Sequence, residues 1–420
     1  MRIRSLFVAL VWITLLSGPR DSFGLKLLAP DGAAGDKFGL AVAVHRDYAL
    51  VGAPNHSGGG SAYVFNAHTG GHLFTLNPKD TGPKEAFGSS IAAYGNTIIV
   101  GDPEAGSDDS GLAYLFDLNT GQELRTLSPS DPGSEYDFGG HVDMDGNLAV
   151  VGSVWADYEG VRSGAAYVFD VPTGDQLSKI GPSDGATDDV FGKVSISGDL
   201  LAIGAGQGVK SAPGGAYLYD VGDPENPSEL SKIVLDDGAD GDRFGAEVSL
   251  DGDRLLLGAP KRDDDGADSG SAYLYDVSDP RNPELLSTLA PSDPEAGDHF
   301  GVGVALDGNR AVVGARHGNR ADGVETGATY LFDVSKPDNP SQLRKTTPSD
   351  GAAGDLFGYQ VDIDGSLIIA GARHDDELGE NAGAAYLSAV PAPSSLIALI
   401  GMGVMGVVIG IRRWSRSRNS

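Results

Sequence analysis

Three sets of residues have types and spacings that suit chemistry. The first is acidic: Asp236, Asp240 and Asp242 in "LDDGADGDRFG", followed by Asp263 and Asp265 in "KRDDDGADSG". Clustered carboxylates are the oxygen ligands a hard cation such as calcium takes, and calcium is the cofactor they suggest. Asp108 with Asp109, and Asp375 and Asp376 with Glu377, form smaller acidic groups. The second set is aromatic. Trp155 in "SVWADYEGVRSG" lies close to Tyr158 and Arg162, a grouping able to stack on a sugar ring or anchor a protein partner. The third set is His317 and His374, each following Gly-Ala-Arg, where an imidazole could act as a base or metal ligand. The chain has no Gly-x-Ser-x-Gly, Walker loop, His-Glu-x-x-His or cysteine-based metal motif, so the sequence reads as non-enzymatic.

The elements that carry these residues repeat. Phe-Gly recurs at Phe38, Phe87, Phe138, Phe191, Phe244, Phe300 and Phe357, at intervals of 49 to 57 residues. Each interval also holds a Val-Gly-Ala-like segment, such as Leu257-Gly258-Ala259, and then Ala-Tyr, replaced once by Thr329-Tyr330. A steady period of this length marks an array of one structural unit.

Unit five shows four strands. "FGAEVSL" alternates, with Phe244, Ala246, Val248 and Leu250 predicted on one face. "DRLLLGA" is a continuous apolar run suited to burial on both faces. "GSAYLYDV" alternates again, and "ELLSTLA" ends the unit. Asp251-Gly252 marks a tight turn, and Asp145, Asp307 and Asp364 recur in that place as turn formers. Gly258 permits close backbone approach between neighbouring sheets. Unit four is one residue shorter here, "FGKVSISGD", which predicts a register adjustment in its first strand. Seven four-stranded units predict an all-β fold, a seven-bladed β-propeller of antiparallel blades. The seventh unit lacks its fourth strand, and "LKLLAPDGAAGDKFG" near the N-terminus matches the missing piece. Leu25 to Ala29 are therefore expected to pair with the last blade and close the ring.

These repeats resemble the FG-GAP repeats of the integrin α-subunit propeller and its bacterial relatives over residues 25–390. Such repeats commonly bind calcium in the turn between strands one and two. The turns here, such as Asp251-Gly252-Asp253, are too short to supply six to eight oxygens, so those sites are not carried over.

The two ends read as addresses. Residues 1–24 have a basic start and a short apolar run, the pattern of a secretory signal peptide. Residues 396–411 are apolar or Gly and precede four arginines, as in a membrane helix with a basic cytoplasmic tail. With Pro391 and Pro393 before it, the segment 391–420 resembles a PEP-CTERM sorting signal, with Ala392 where Glu is usual. That resemblance implies an exosortase-type processing enzyme as partner. Acidic residues outnumber basic ones 59 to 30, a surface that repels nucleic acid. The expected function is an exported or cell-surface propeller that binds protein or polysaccharide in adhesion or envelope organisation. The alternatives are a polysaccharide-acting enzyme and a calcium-binding surface scaffold.

Overall fold

A run such as Leu255-Leu256-Leu257 has no polar face to turn to water, so its strand must be covered on both sides. In the computed structural model these three side chains are wholly buried. The structure describes residues 24–79, 86–106, 109–133, 136–159, 161–206 and 214–390. They form seven four-stranded antiparallel sheets arranged as the blades of a propeller, with no helix among the described residues. Blade five consists of Glu247–Asp251, Arg254–Ala259, Ser271–Asp276 and Glu284–Leu289, from the central channel outward. The second and third strands are buried almost throughout, while the outermost is largely exposed. The core is divided into seven apolar clusters, each between two adjacent blades.

The repeat landmarks form the blade-to-blade joints. A Cβ on Gly258 would lie 2.0 Å from the carbonyl oxygen of Gly301, the Phe-Gly glycine of the next blade. The same approach recurs at every joint, including Gly371 against Gly39 between blades seven and one. Each Phe ring packs edge-on against the Ala-Tyr or Thr-Tyr ring of its own blade, with centroids 5.2–5.6 Å apart.

The ring closes as the repeat predicts. Leu25–Leu27 is the fourth strand of blade seven and pairs with Ala384–Ala389. Its register places Lys26 opposite Tyr386, as Lys179, Lys232 and Lys345 stand opposite Tyr167, Tyr217 and Tyr330. Each lysine ammonium lies 4.8–5.4 Å from the tyrosine ring centre and pairs with an aspartate of the segment leading into that blade. Lys26 gathers three carboxylates: Asp350 at 2.9 Å, with Asp375 and Glu377 at 2.7 Å. Burial works against this ammonium, but the carboxylates outweigh it and hold the pKa well above the ordinary value.

Two local expectations are revised. In blade five Phe244 does not share a strand face with Ala246. Gly245 has φ +79°, regular pairing begins at Glu247, and Ala246 turns toward the channel mouth. Phe244 instead bridges to Gly214 of blade four and joins Val248 and Leu250 in the cluster between the two blades. Blade four does carry a register adjustment. Its pairing steps from Phe191 to Lys193, where blade three steps from Phe138 to His141, so the missing residue is absorbed in the bulge.

The second revision concerns the turn aspartates. The glycines supply the positive φ of these turns, and the aspartates reach sideways. Asp145, Asp251 and Asp364 each accept a 2.6 Å hydrogen bond from a turn N–H of the next blade: Gly198, Gly308 and Arg46 respectively. Asp307 does the same to Gly365. Two residues earlier, Asp143, Ser195, Ser249 and Asp362 accept from Ile196, Leu250, Leu306 and Val44. These side chains staple five of the seven joints around one end of the channel.

Candidate functional site

The acidic loops of blade five do meet, around a cation of the chain itself. The Arg262 guanidinium reaches Asp237 at 2.6 Å and both Asp242 and Asp264 at 2.8 Å. Asp242 is buried and also accepts from the Ala239 N–H. Asp36, Asp189, Asp298 and Asp355 make this same bond to the residue three before them, so the acid two residues before Phe forms the lead-in turn of the repeat. Asp263 accepts from the Asp268 N–H, and the Asp265 N–H donates to Ser269. Asp236 lines a shallow cavity with Asp237, and Asp240 belongs to the same lead-in loop. Among the described residues no three His, Asp or Glu side chains are arranged to hold a metal ion. The acids of blade seven are likewise engaged, Asp375 and Glu377 with Lys26. Asp108 lies outside the described residues.

The aromatic set divides. Arg162 lies over the Trp155 ring at 5.0 Å. Tyr158 packs instead on Gly181, where a Cβ would meet its ring at 2.1 Å. Trp155, Lys261, His317 and His374 occupy one repeat position. Each donates its backbone N–H to the carbonyl two residues before a Phe: Tyr136, Asp242, Asp298 and Asp355. The two candidate histidines are therefore equivalent, but no hydrogen bond or ring contact joins them among the described residues. His317 bonds Glu325 at 2.5 Å and packs edge-on against His299. Burial, then the charges of Arg373 and Lys37, lower the His374 pKa. Pro391 and Pro393 lie outside the described residues, as do the segments 1–23 and 391–420. No helix among the described residues is long and apolar enough to cross a membrane.

The repeat position of Trp155 faces the mouth of the central channel. There the structure forms a cavity of about 260 Å³, with Trp155, Val190, Pro260 and Val302 among its walls. Four cations line it, Lys193, Arg243, Lys261 and Arg316, against one carboxylate, Glu247. Glu247 and Gln360 form the floor, 3.4 Å apart, and both also line the cavity at the stapled end. Lys193 stands between Glu247 at 3.6 Å and His141 at 3.4 Å. Burial drives His141 well below its ordinary pKa, with the Lys193 charge adding to the effect. Arg316 donates its Nε–H to His299 Nδ1 at 3.1 Å, and Arg373 stacks 3.9 Å above the Tyr359 ring. His299 is pushed down to about 4, first by burial and then by Arg316, so it is neutral and accepts this bond.

Of this site the sequence singles out only Trp155. The cations occupy different repeat columns: just after Phe-Gly (Lys193), just before Phe (Arg243) and just after Gly-Ala (Arg316, Arg373), with Lys261 in Trp155's repeat position. Aligning those columns across the repeats is the signal that would have found them.

Such an assembly defines a closed β-propeller with a cationic cavity at one end of its channel. The FG-GAP repeat family model matches residues 23–65, 74–116, 122–169, 175–219, 227–275, 284–332 and 340–388, and the chain belongs to this family. No curated protein matches it.

Proposed function

We propose that the chain is a non-enzymatic, exported β-propeller that holds a protein or polysaccharide ligand at the channel mouth, in adhesion or envelope organisation. The observation that carries this reading is the cavity beside Trp155, where apolar walls meet convergent polar groups, as in ligand sites generally. Export rests on the signal-like residues 1–24, and retention at the surface on the PEP-CTERM-like segment 391–420. The loops around Trp155, Lys261 and His317 belong to the strand two-to-three connections, the varied loops that a rigid propeller presents.

Probing glycan and protein arrays with the propeller, whose closed ring lies within residues 24–390, tests the reading. Ligands that bind the wild type and lose binding with Trp155→Ala support it. Ligands indifferent to Trp155→Ala and to Lys261→Ala would place recognition elsewhere. Turnover of a bound polysaccharide that disappears in the His317→Ala/His374→Ala variant would overturn the non-enzymatic part.

A further inference from the structure

The chain carries a large excess of acid, yet the cavity carries an excess of cations that the protein leaves without counter-charge. Among the described residues three of the four lining cations, Arg243, Lys261 and Arg316, form no ion pair, nor does Arg373 over the lining Tyr359, while Lys193 pairs with Glu247. Arg373 also has a buried Nε with no hydrogen-bond partner. Burial, together with the nearby charges of Arg373 and Arg243, lowers the Arg316 pKa. Like charges held together at a partly desolvated site cost free energy unless an anion joins them.

Resting on the binding reading above, we infer that the cavity takes the anionic group of an acidic saccharide, a sugar unit bearing a carboxylate or sulfate ester. The charge follows from four cations against one carboxylate, and guanidinium groups suit planar or tetrahedral oxyanions. The saccharide follows from the walls. Trp155, Tyr359, Pro260 and Val302 offer apolar and aromatic surface beside the charges, as a sugar ring requires. The small volume admits one such unit rather than a folded partner. The acidic exterior repels long polyanions such as nucleic acid, so a short or terminal acidic unit is selected.

Calorimetric titration of the propeller with three trisaccharides tests this: trigalacturonate, a sulfated galactose trimer and neutral galactotriose. One or both acidic trimers bind, more weakly as salt rises, and the neutral trimer does not. The two acidic arms separate carboxylate from sulfate recognition. The Arg316→Gln/Arg373→Gln variant loses about tenfold or more in affinity while keeping its melting temperature. Arg281→Gln, an exposed cation in the strand three-to-four loop, leaves affinity unchanged. Equal binding of galactotriose, insensitive to the double arginine variant, would overturn the anionic assignment while leaving a saccharide site in place. Binding of triglutamate as tight as trigalacturonate would overturn the saccharide assignment. Failure of both acidic trimers would overturn the inference, and the Trp155→Ala array result decides separately whether the mouth binds anything.

Discussion

At the tight-turn end of the channel, Asp145, Asp251, Asp307 and Asp364 each accept a hydrogen bond from the next blade's turn. At the other end, Arg243, Lys261 and Arg316 line a cavity and meet no carboxylate within ion-pair distance among the described residues. Both ends are built from side chains that recur once per blade, so the repeat explains the presence of both. What differs is where their charge is satisfied. Carboxylates that accept backbone N–H bonds are engaged in holding the fold. Cations left unpaired contribute little to it and remain available for a ligand. The acidic loops follow the first pattern, since Arg262 and Lys26 neutralise them from within.

Substitutions separate the two patterns. The largest effect is expected where a paired cation is removed. Lys26→Ala leaves the buried Asp375 without its cation, though still hydrogen-bonded by the Tyr386 hydroxyl, at the joint that closes the ring, at a cost of about 3 kcal/mol in denaturant unfolding. A cost near zero would mean that the closing strand holds by its backbone pairing alone. Asp364→Ala comes next. It strips the acceptor from the Arg46 N–H between blades seven and one and is expected to cost about 1.5–3 kcal/mol, without changing ligand affinity.

The pH dependence is smaller and has a definite sign. Burial pushes Asp362 up to about 7 and Asp143 up to about 6, against the backbone N–H groups that favour their charged forms. A carboxyl whose folded pKa exceeds its unfolded value binds more protons in the native state, so its contribution to stability falls as pH rises from about 4 to about 7. His141 and His299, held below their ordinary pKa, act in the opposite sense, so the test is differential: from pH 5 to pH 7.5 the wild-type melting temperature is expected to fall relative to that of Asp362→Asn. A parallel course of the two would assign the dependence to the overall negative charge instead. The smallest effect belongs to the mouth: Arg243→Gln should shift stability by no more than about 0.5 kcal/mol.

Most of the fold is legible in the sequence because one unit is written seven times. The Phe-Gly glycine and the Val-Gly-Ala glycine answer each other across each joint, so both had to recur. The orphan strand announces itself because "LKLLAPDGAAGDKFG" repeats the segment that ends the other units. The start of the innermost strand was less legible, since the positive φ of Gly245 breaks the alternation that Phe244, Ala246 and Val248 suggest. The site was the least legible part. Its cations, Lys193, Arg243, Lys261 and Arg316, stand in different columns of three successive repeats and meet only where those blades converge on the channel. The aspartates, by contrast, stand in runs that catch the eye, although Asp242 and Asp264 are occupied by Arg262 and Asp263 by the Asp268 N–H. Sequence proximity favoured the acids, and spatial proximity favours the cations.

The most direct test of the division between the two ends is hydrogen exchange of the propeller with and without trigalacturonate. Added protection is expected only in segments bearing Trp155, Arg243, Lys261, Arg316 and Tyr359, with the staple segments around Asp145, Asp251, Asp307 and Asp364 unchanged. Protection at the staple end, or none at the mouth, would contradict it.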